Sequence, residues 1–252
     1  MLKVLKTINA DSLRIIKTNN EIKKIKKACR LGDKTFDYIL KKIKFGVTEK
    51  EIAFEIEFFI KKSGGDISFR PIVAFGENSA VPHHQATNNK LTNNQIVLLD
   101  FGVKLNNYCS DMSRTIFFGS AEEEFKKMYD AVLQAQDLAI QQFSKKTIKQ
   151  LEKGIKASEI DKIARDHITS KGYKTIPHSV GHGIGIEVHE APHLSPNSKD
   201  ILKEGMVFSI EPGIYIPGFG GVRIEDLVVL EKTGVRLITR SSRKLIDILS
   251  YL

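Results

Sequence analysis

Residues 93–103 read NNQIVLLDFGV and residues 204–214 read EGMVFSIEPGI. Superposed, both give an apolar run, an acid, any residue, a glycine and an aliphatic side chain. Asp100 then falls on Glu211, and Gly102 on Gly213. Each copy is followed by a return of the chain that supplies a second acid, Asp111 in the first and Glu225 in the second. The flanks repeat as well. Ahead of the first copy, Ile22, Ile25, Ala28, Cys29, Phe36, Ile39, Leu40 and Ile43 recur at helical steps. Thr48-Glu49-Lys50-Glu51 then has the form of a capping box, with Ile52, Ile56, Phe59 and Ile60 on one face and Gly64-Gly65 as the stop. Ahead of the second copy, Ser120-Ala121-Glu122-Glu123 and Ser158-Glu159-Ile160-Asp161 are predicted to open two more helices, ending near Phe143 and Lys171-Gly172. Strand-like runs cover 69–75, 96–103 and 111–118, then 206–216 and 222–231. Helices, strands, helices, strands: the order predicts a duplicated α+β unit. A pseudo-twofold between the halves would bring both returns, and four carboxylates, to one place.

The 252 residues are 41% apolar and 27% charged, a balance that supports a large buried core and excludes a disordered chain. No apolar run approaches the ~18 residues of a membrane span. The opening MLKVLKTINADS lacks the continuous apolar stretch of a secretory signal. Cys29 and Cys109 can build no disulfide framework and have no metal-binding spacing. The expectation is a cytoplasmic chain, one domain over residues 1–252, with no membrane partner. The net charge of +9 raises the question of nucleic acid. The lysines, however, alternate with isoleucine and leucine in 21–30, 41–44 and 145–156, as on solvated helix faces, and no nucleic-acid partner is expected.

The chemistry lies with the acids. Asp100 ends the run IVLLD and Glu211 sits in MVFSIEP, so both are expected to face an interior, where an unpaired carboxylate is costly. One such acid is readily explained by an ion pair with Arg114, Arg223 or a lysine. Four in matched positions are better explained by divalent metal, and shared oxygen ligands suit Mn²⁺, Fe²⁺, Co²⁺ or Zn²⁺. His178-Ser179-Val180-Gly181-His182-Gly183-Ile184-Gly185 places His182 among small residues, which reads as room for a ligand, and His189 follows. His83-His84 lies on the turn before the first carboxylate strand. Two patterns mislead. His189-Glu190-Ala191-Pro192-His193 has the H-E-x-x-H form, but Pro192 is incompatible with the helix which that zinc site needs. Gly181-x-Gly183-x-Gly185 has neither the spacing nor the βαβ setting of a dinucleotide loop.

The set Asp100, Asp111, His182, Glu211 and Glu225 resembles the five-ligand dinuclear site of the pita-bread metallopeptidases. LDFGVKLNNYCSDMSRT, GHGIGIEVHEAPHLS and SIEPGIYIPGFGGVRIED are similar to the proline-specific branch, Xaa-Pro aminopeptidase (aminopeptidase P) and Xaa-Pro dipeptidase. The resemblance covers roughly residues 13–247. It implies an α+β pita-bread fold of the creatinase/methionine-aminopeptidase type, with internal pseudo-twofold duplication. It also implies two divalent ions, manganese first, with Co²⁺, Fe²⁺ or Zn²⁺ as alternatives. Asp100 would hold one ion, His182 and Glu211 the other, with Asp111 and Glu225 shared between them. Glu211 would shuttle the proton, a metal with one or both of His83 and His189 would stabilise the oxyanion, and His178 would line the proline pocket of the substrate site. Arg223, two residues before Glu225 and so on the same strand face, would anchor the carboxylates beside that site. The substrates implied are peptides with proline at the second position. Members of this branch commonly carry a further N-terminal domain, which is not expected here, and the oligomeric state is left open with a homodimer among the choices.

Three other readings share the scaffold. Methionine aminopeptidases use the same ligands but usually differ around the second Asp and after the first Glu. Some pita-bread relatives are metal-free modules that bind proteins, and creatinase-like chemistry does without the metal set. All five ligand positions are filled here by ligand-capable side chains, which favours the metallopeptidase.

Overall fold

The computed structural model describes residues 10–146 and 148–248. Most of the opening stretch, on which the expectation of no secretory signal rests, lies outside the described residues.

Two long helices precede the first sheet. Helix α1, Asn19–Leu40, begins with a capping box at Thr18 and Glu21 and buries Ile25, Ala28, Cys29, Phe36 and Ile39. Apolar periodicity in the sequence starts only at Ile22 and so does not announce this box. Helix α2, Glu49–Lys62, opens on the expected box: Glu51 N donates to Thr48 Oγ1 at 3.2 Å and Thr48 N to Glu51 Oε2 at 2.7 Å. Ile52, Ile56 and Ile60 face inward, and Gly64, at φ +84°, takes the left-handed conformation that ends the helix. Strands β1 (Ile72–Phe75), β2 (Gln95–Phe101) and β3 (Met112–Phe118) then pair antiparallel in the order β1-β2-β3, and Asp247–Ile248 adds a parallel edge beside β3.

The second half repeats the plan. Helices α3 (Glu123–Ser144) and α4 (Ala157–Ser170) precede β4 (Gly181–Gly183), β5 (Glu190–Leu194), β6 (Val207–Ile210), β7 (Gly213–Ile216), β8 (Gly220–Arg223), β9 (Asp226–Glu231) and β10 (Gly234–Leu237). One sheet runs β10-β9-β6-β4-β5, and β7 with β8 forms a separate ribbon. Each half thus has a strand, an excursion and an antiparallel return: β2 to β3, and β6 to β9. The halves join where the Glu225 amide donates to the Ser113 carbonyl at 3.1 Å. Separate apolar clusters lie beneath the two sheets, one centred on Ile52, Val73, Leu99 and Ile116, the other on Val132, Ile160, Phe208 and Val228.

Two expected caps are not made. Glu122, not Ser120, precedes α3, and it makes no side-chain cap bond. Ser158 lies inside α4, whose start is Ala157. Asp161 is instead drawn to Arg165, one turn along, whose Nε reaches its Oδ2 at 2.6 Å. Three expected strands are also broken, and one of them, the run 222–231, is interrupted at Ile224-Glu225 between β8 and β9. The run 96–103 splits at Gly102, where a Cβ would lie 2.0 Å from the Ser110 carbonyl oxygen and 2.1 Å from Ser68 Oγ. The run 206–216 splits at Glu211-Pro212, beyond the last registered pair, Ile210 with Asp226. His189-Glu190-Ala191-Pro192-His193 is not helical, and its last four residues lie in strand β5. Cys29 and Cys109 are both free and buried. No helix among the described residues is long and apolar enough to cross a membrane.

Candidate metal centre

Sheet geometry gathers the acids. Asp100 is the penultimate residue of β2 and faces Ser113 across the ladder, while Asp111 immediately precedes β3. Glu211 follows the end of β6, and Glu225 fills the step between β8 and β9. His182 is central in β4, which pairs with β6. All five side chains, together with His83, His178, His189 and Arg223, line one cavity of about 420 Å³. Phe69, Ile72 and Val188 supply its apolar wall, and His193 also reaches it. His83 and His189 are exposed, at the rim; His178 is half-buried; the acids and His182 lie deeper.

The glycines beside His182 do not open space for a ligand. A Cβ on Gly181 would lie 2.1 Å from the Ser209 carbonyl oxygen, and one on Gly183 2.1 Å from that of Ala191. They let β4 lie close against β6 and β5, which fixes His182 in depth. Its Nδ1 faces the Gly183 carbonyl at 3.1 Å, placing the proton there and leaving Nε2 as the ligand atom. Nε2 lies 3.2 Å from Glu211 Oε1 and 3.6 Å from Asp111 Oδ2. The His189 ring stands edge-on to that of His182, centroids 4.3 Å apart.

Arg223 is the cation of the site. Its Nη2 donates to Asp100 Oδ2 at 2.6 Å, its Nε to Ser113 Oγ at 2.8 Å, and its Nη1 to Tyr215 Oη at 2.7 Å and the Pro82 carbonyl at 3.2 Å. Ser113 Oγ passes the chain on to Glu225 Oε2 at 2.8 Å, and Tyr215 Oη meets His178 Nε2 at 2.8 Å. Ser209 Oγ plays a parallel part, accepting from the His182 amide at 3.0 Å and donating to Glu211 Oε1 at 3.0 Å. Arg114, the other arginine considered, pairs with Asp226 at 2.7 Å and holds none of the four acids by its side chain. His84 points elsewhere, to Glu49 Oε2 at 2.9 Å. The sequence assigns no role to Ser113, Ser209 or Tyr215, and His193 enters only as the end of the rejected H-E-x-x-H pattern. Ser113 and Ser209 stand two residues from Asp111 and Glu211, and that same-face parity, which found Arg223 beside Glu225, was the available signal.

One cation does not balance these acids. Asp100 Oδ1, Asp111 Oδ1 and Glu225 Oε1 are buried without a hydrogen-bond partner among the described residues. Burial raises the Asp100 carboxyl despite Arg223; burial and the facing Glu225 carboxylate push Asp111 well above its ordinary value; burial and Glu211 do the same to Glu225. Burial would raise Glu211 too, but its positive and hydrogen-bonding neighbours, His182 first, then His178 and Arg223, together draw that carboxyl down to about 2. Buried carboxylate oxygens without a partner, lining one cavity with the His182 imidazole, fit a bound cation. Asp111, His182 and Glu225 each place a ligand atom within 4.8 Å of the others.

The model of metallopeptidase family M24 matches residues 23–232, and the chain belongs to that family. Membership implies divalent metal ions, and the fold is the pita-bread fold of the family. The chain is 42% identical over 236 residues to the Xaa-Pro dipeptidase of Pyrococcus horikoshii, covering 93% of this chain and 65% of that protein. Among solved structures it superposes on the Xaa-Pro dipeptidase of Bacillus anthracis with TM-score 0.88 and 44% identity, covering 94% of this chain and 65% of that one. For the X-Pro aminopeptidase of Thermotoga maritima the TM-score is 0.87 and the identity 37%, covering 94% and 66%. The chain spans about 65% of the length of the curated relatives it matches.

Proposed function

We propose that this protein is a dinuclear-metal peptidase that cleaves the bond between an N-terminal residue and a following proline. The observation that carries the reading is the convergence of four carboxylates and His182 on one cavity, with three buried oxygens left unpartnered. The names of the relatives, dipeptidase and aminopeptidase acting on Xaa-Pro, support the choice of substrate. Asp100 would hold one ion, His182 and Glu211 a second, with Asp111 and Glu225 shared. A predominantly oxygen donor set with one imidazole favours manganese. When bound, the ions supply an acidified water and polarise the scissile carbonyl.

The chain's own groups do the rest. Glu211, kept in place by Ser209, takes the proton of the attacking water and returns it to the departing nitrogen. His83 and His189, at the rim, donate N–H bonds to the carbonyl oxygen as charge develops there. Arg223 holds Asp100 and, through Ser113, Glu225, and with Tyr215 and His178 it frames the side that receives proline. A proline ring with fixed φ and no N–H suits a pocket walled by Phe69, Ile72 and Val188. We read the protein as cytoplasmic, in keeping with its two unpaired thiols.

The test is kcat/KM for Met-Pro-Xaa against Met-Ala-Xaa peptides, with Xaa-Pro dipeptides alongside, on Mn²⁺-reconstituted protein. A preference of about 10²-fold for proline is expected. Equal values, or a preference for Met-Ala, would overturn the reading in favour of a methionine aminopeptidase.

A further inference from the structure

Glu49 is 0% exposed, in the first turn of α2, and belongs neither to the cavity nor to the capping box, which uses Glu51. Its Oε1 accepts from the Phe75 amide at 2.9 Å and from Asn78 Nδ2 at 2.8 Å. Its Oε2 accepts from the Thr87 amide at 2.8 Å and Thr87 Oγ1 at 2.7 Å, and faces His84 Nε2 at 2.9 Å. All five donors sit on one stretch of chain, residues 75–87, running from the end of β1 into the excursion that leads to β2. In the middle of that excursion lie Pro82, whose carbonyl accepts from Arg223, and His83, which lines the cavity.

A buried carboxylate is costly unless its bonds are filled, and these bonds are filled by a single segment rather than by the helix that carries it. The neighbouring histidines therefore divide the work: His84 ties the segment to Glu49, and His83 faces the cavity. The far side of the segment is fixed as well. The Gly221 amide donates to Ser79 Oγ at 2.8 Å, and a Cβ on Gly221 would lie 2.2 Å from the Ser79 carbonyl oxygen. Burial opposes the charge on Glu49, yet its hydrogen bonds hold the carboxyl below its ordinary value, so it stays a full acceptor at neutral pH.

We propose that Glu49 is a positioning residue which fixes the 75–87 segment so that His83 and the Pro82 carbonyl take their places at the catalytic cavity. The function assigned to His83 rests on the peptidase reading above; the positioning itself does not.

The experiment compares the whole chain as wild type, Glu49→Gln, His83→Ala and the double variant, all reconstituted with Mn²⁺. Glu49→Gln is expected to lower kcat/KM for Met-Pro-Xaa about 10-fold or more with metal content unchanged, since a small misplacement of a reacting group is expensive. The double variant should lose clearly less than the product of the two single losses; losses that multiply in full would overturn the proposal, because they would mean that Glu49 does not act through His83. A second readout needs no turnover: the His83 imidazole resonances and the exchange rates of the Phe75 and Thr87 amides, measured by NMR on Zn²⁺-loaded protein. Glu49→Gln should shift the resonances and speed the exchange, and spectra matching wild type would overturn the proposal whatever the activity. If the spectra change but even the wild type ignores Xaa-Pro peptides, the positioning stands and the peptidase reading falls. Should Glu49→Gln fail to fold, Thr87→Val removes one donor from the exposed end of the same network and should give the same changes in smaller measure.

Discussion

Arg223, from the second half of the chain, donates to Asp100 in the first at 2.6 Å, and the pair is buried. The same guanidinium also holds Ser113, Tyr215 and the Pro82 carbonyl, so a planar fork with several donors is needed and a point charge will not replace it. Arg223→Lys is therefore expected to weaken Mn²⁺ affinity about 10- to 100-fold, read by calorimetric titration. Unchanged affinity would show that Arg223 is only a structural counter-ion.

Asp111 and Glu225 each leave one buried oxygen unpartnered. If both acids serve two ions, Asp111→Ala or Glu225→Ala should remove both together in elemental analysis. Divalent metal should also raise the melting temperature of wild type, by linkage worth about 2.7 kcal/mol at 100 times Kd, and leave either variant unmoved. One tightly held ion in a fully active wild type would sink the two-ion version.

His83 and His189 belong to the cavity rim, not to the deeper acid cluster. His→Ala at either position should lower kcat on the order of 10²-fold with metal content nearly intact. Loss of metal alongside activity would make the residue a ligand instead.

Gly181 is a steric requirement of His182. Gly181→Ala puts a Cβ 2.1 Å from the Ser209 carbonyl oxygen, so β4 and β6 must separate. A loss of about 1–3 kcal/mol in urea unfolding is expected, together with weaker metal binding. A neutral substitution would mean that β4 is free to move.

Glu49 gives a pH dependence of stability with a definite sign. Burial would raise its carboxyl, but the bonds from Asn78, His84, Thr87 and Phe75 outweigh burial and hold it below the ordinary 4.5. The group binds fewer protons folded than unfolded near that value. Its contribution is therefore complete above about pH 5 and fades as pH falls through the lowered folded value. Glu49→Gln should cost about 1–3 kcal/mol near neutrality, and the gap to wild type should narrow in acid. A gap independent of pH would contradict the assignment of charge.

The duplicated halves, and with them Asp100 and Glu211, were legible because apolar runs ending in acids repeat with a fixed Gly two residues on; Asp111 and Glu225 followed from the chain returns, His182 from its glycine-rich stretch, and the five together from the family resemblance. What escaped was what neighbours decide. Ser120 and Ser158 have the right spacing for caps, but Glu122 precedes α3 and Asp161 is taken by Arg165. Gly181 and Gly183 looked like space for a ligand, and only the approach of β5 and β6 shows them to be space for backbone. Tyr215 lies on the β7–β8 ribbon, and no periodicity announces that its hydroxyl would join Arg223 to His178.

The split of the acids between the two halves bears on folding kinetics. Neither β2–β3 nor β6–β9 can build the cluster alone, so it exists only once the halves have met through bonds such as those from the Glu225 amide to the Ser113 carbonyl and from Arg223 to Asp100. Contacts between residues as far apart as Asp100 and Glu225 form late on a folding pathway, after the local helices and hairpins. A cation bound by both halves would then leave the refolding rate almost untouched and slow unfolding instead. In a chevron plot, added Mn²⁺ should displace one limb and not the other, so that the metal would act as a kinetic lock on a structure already assembled.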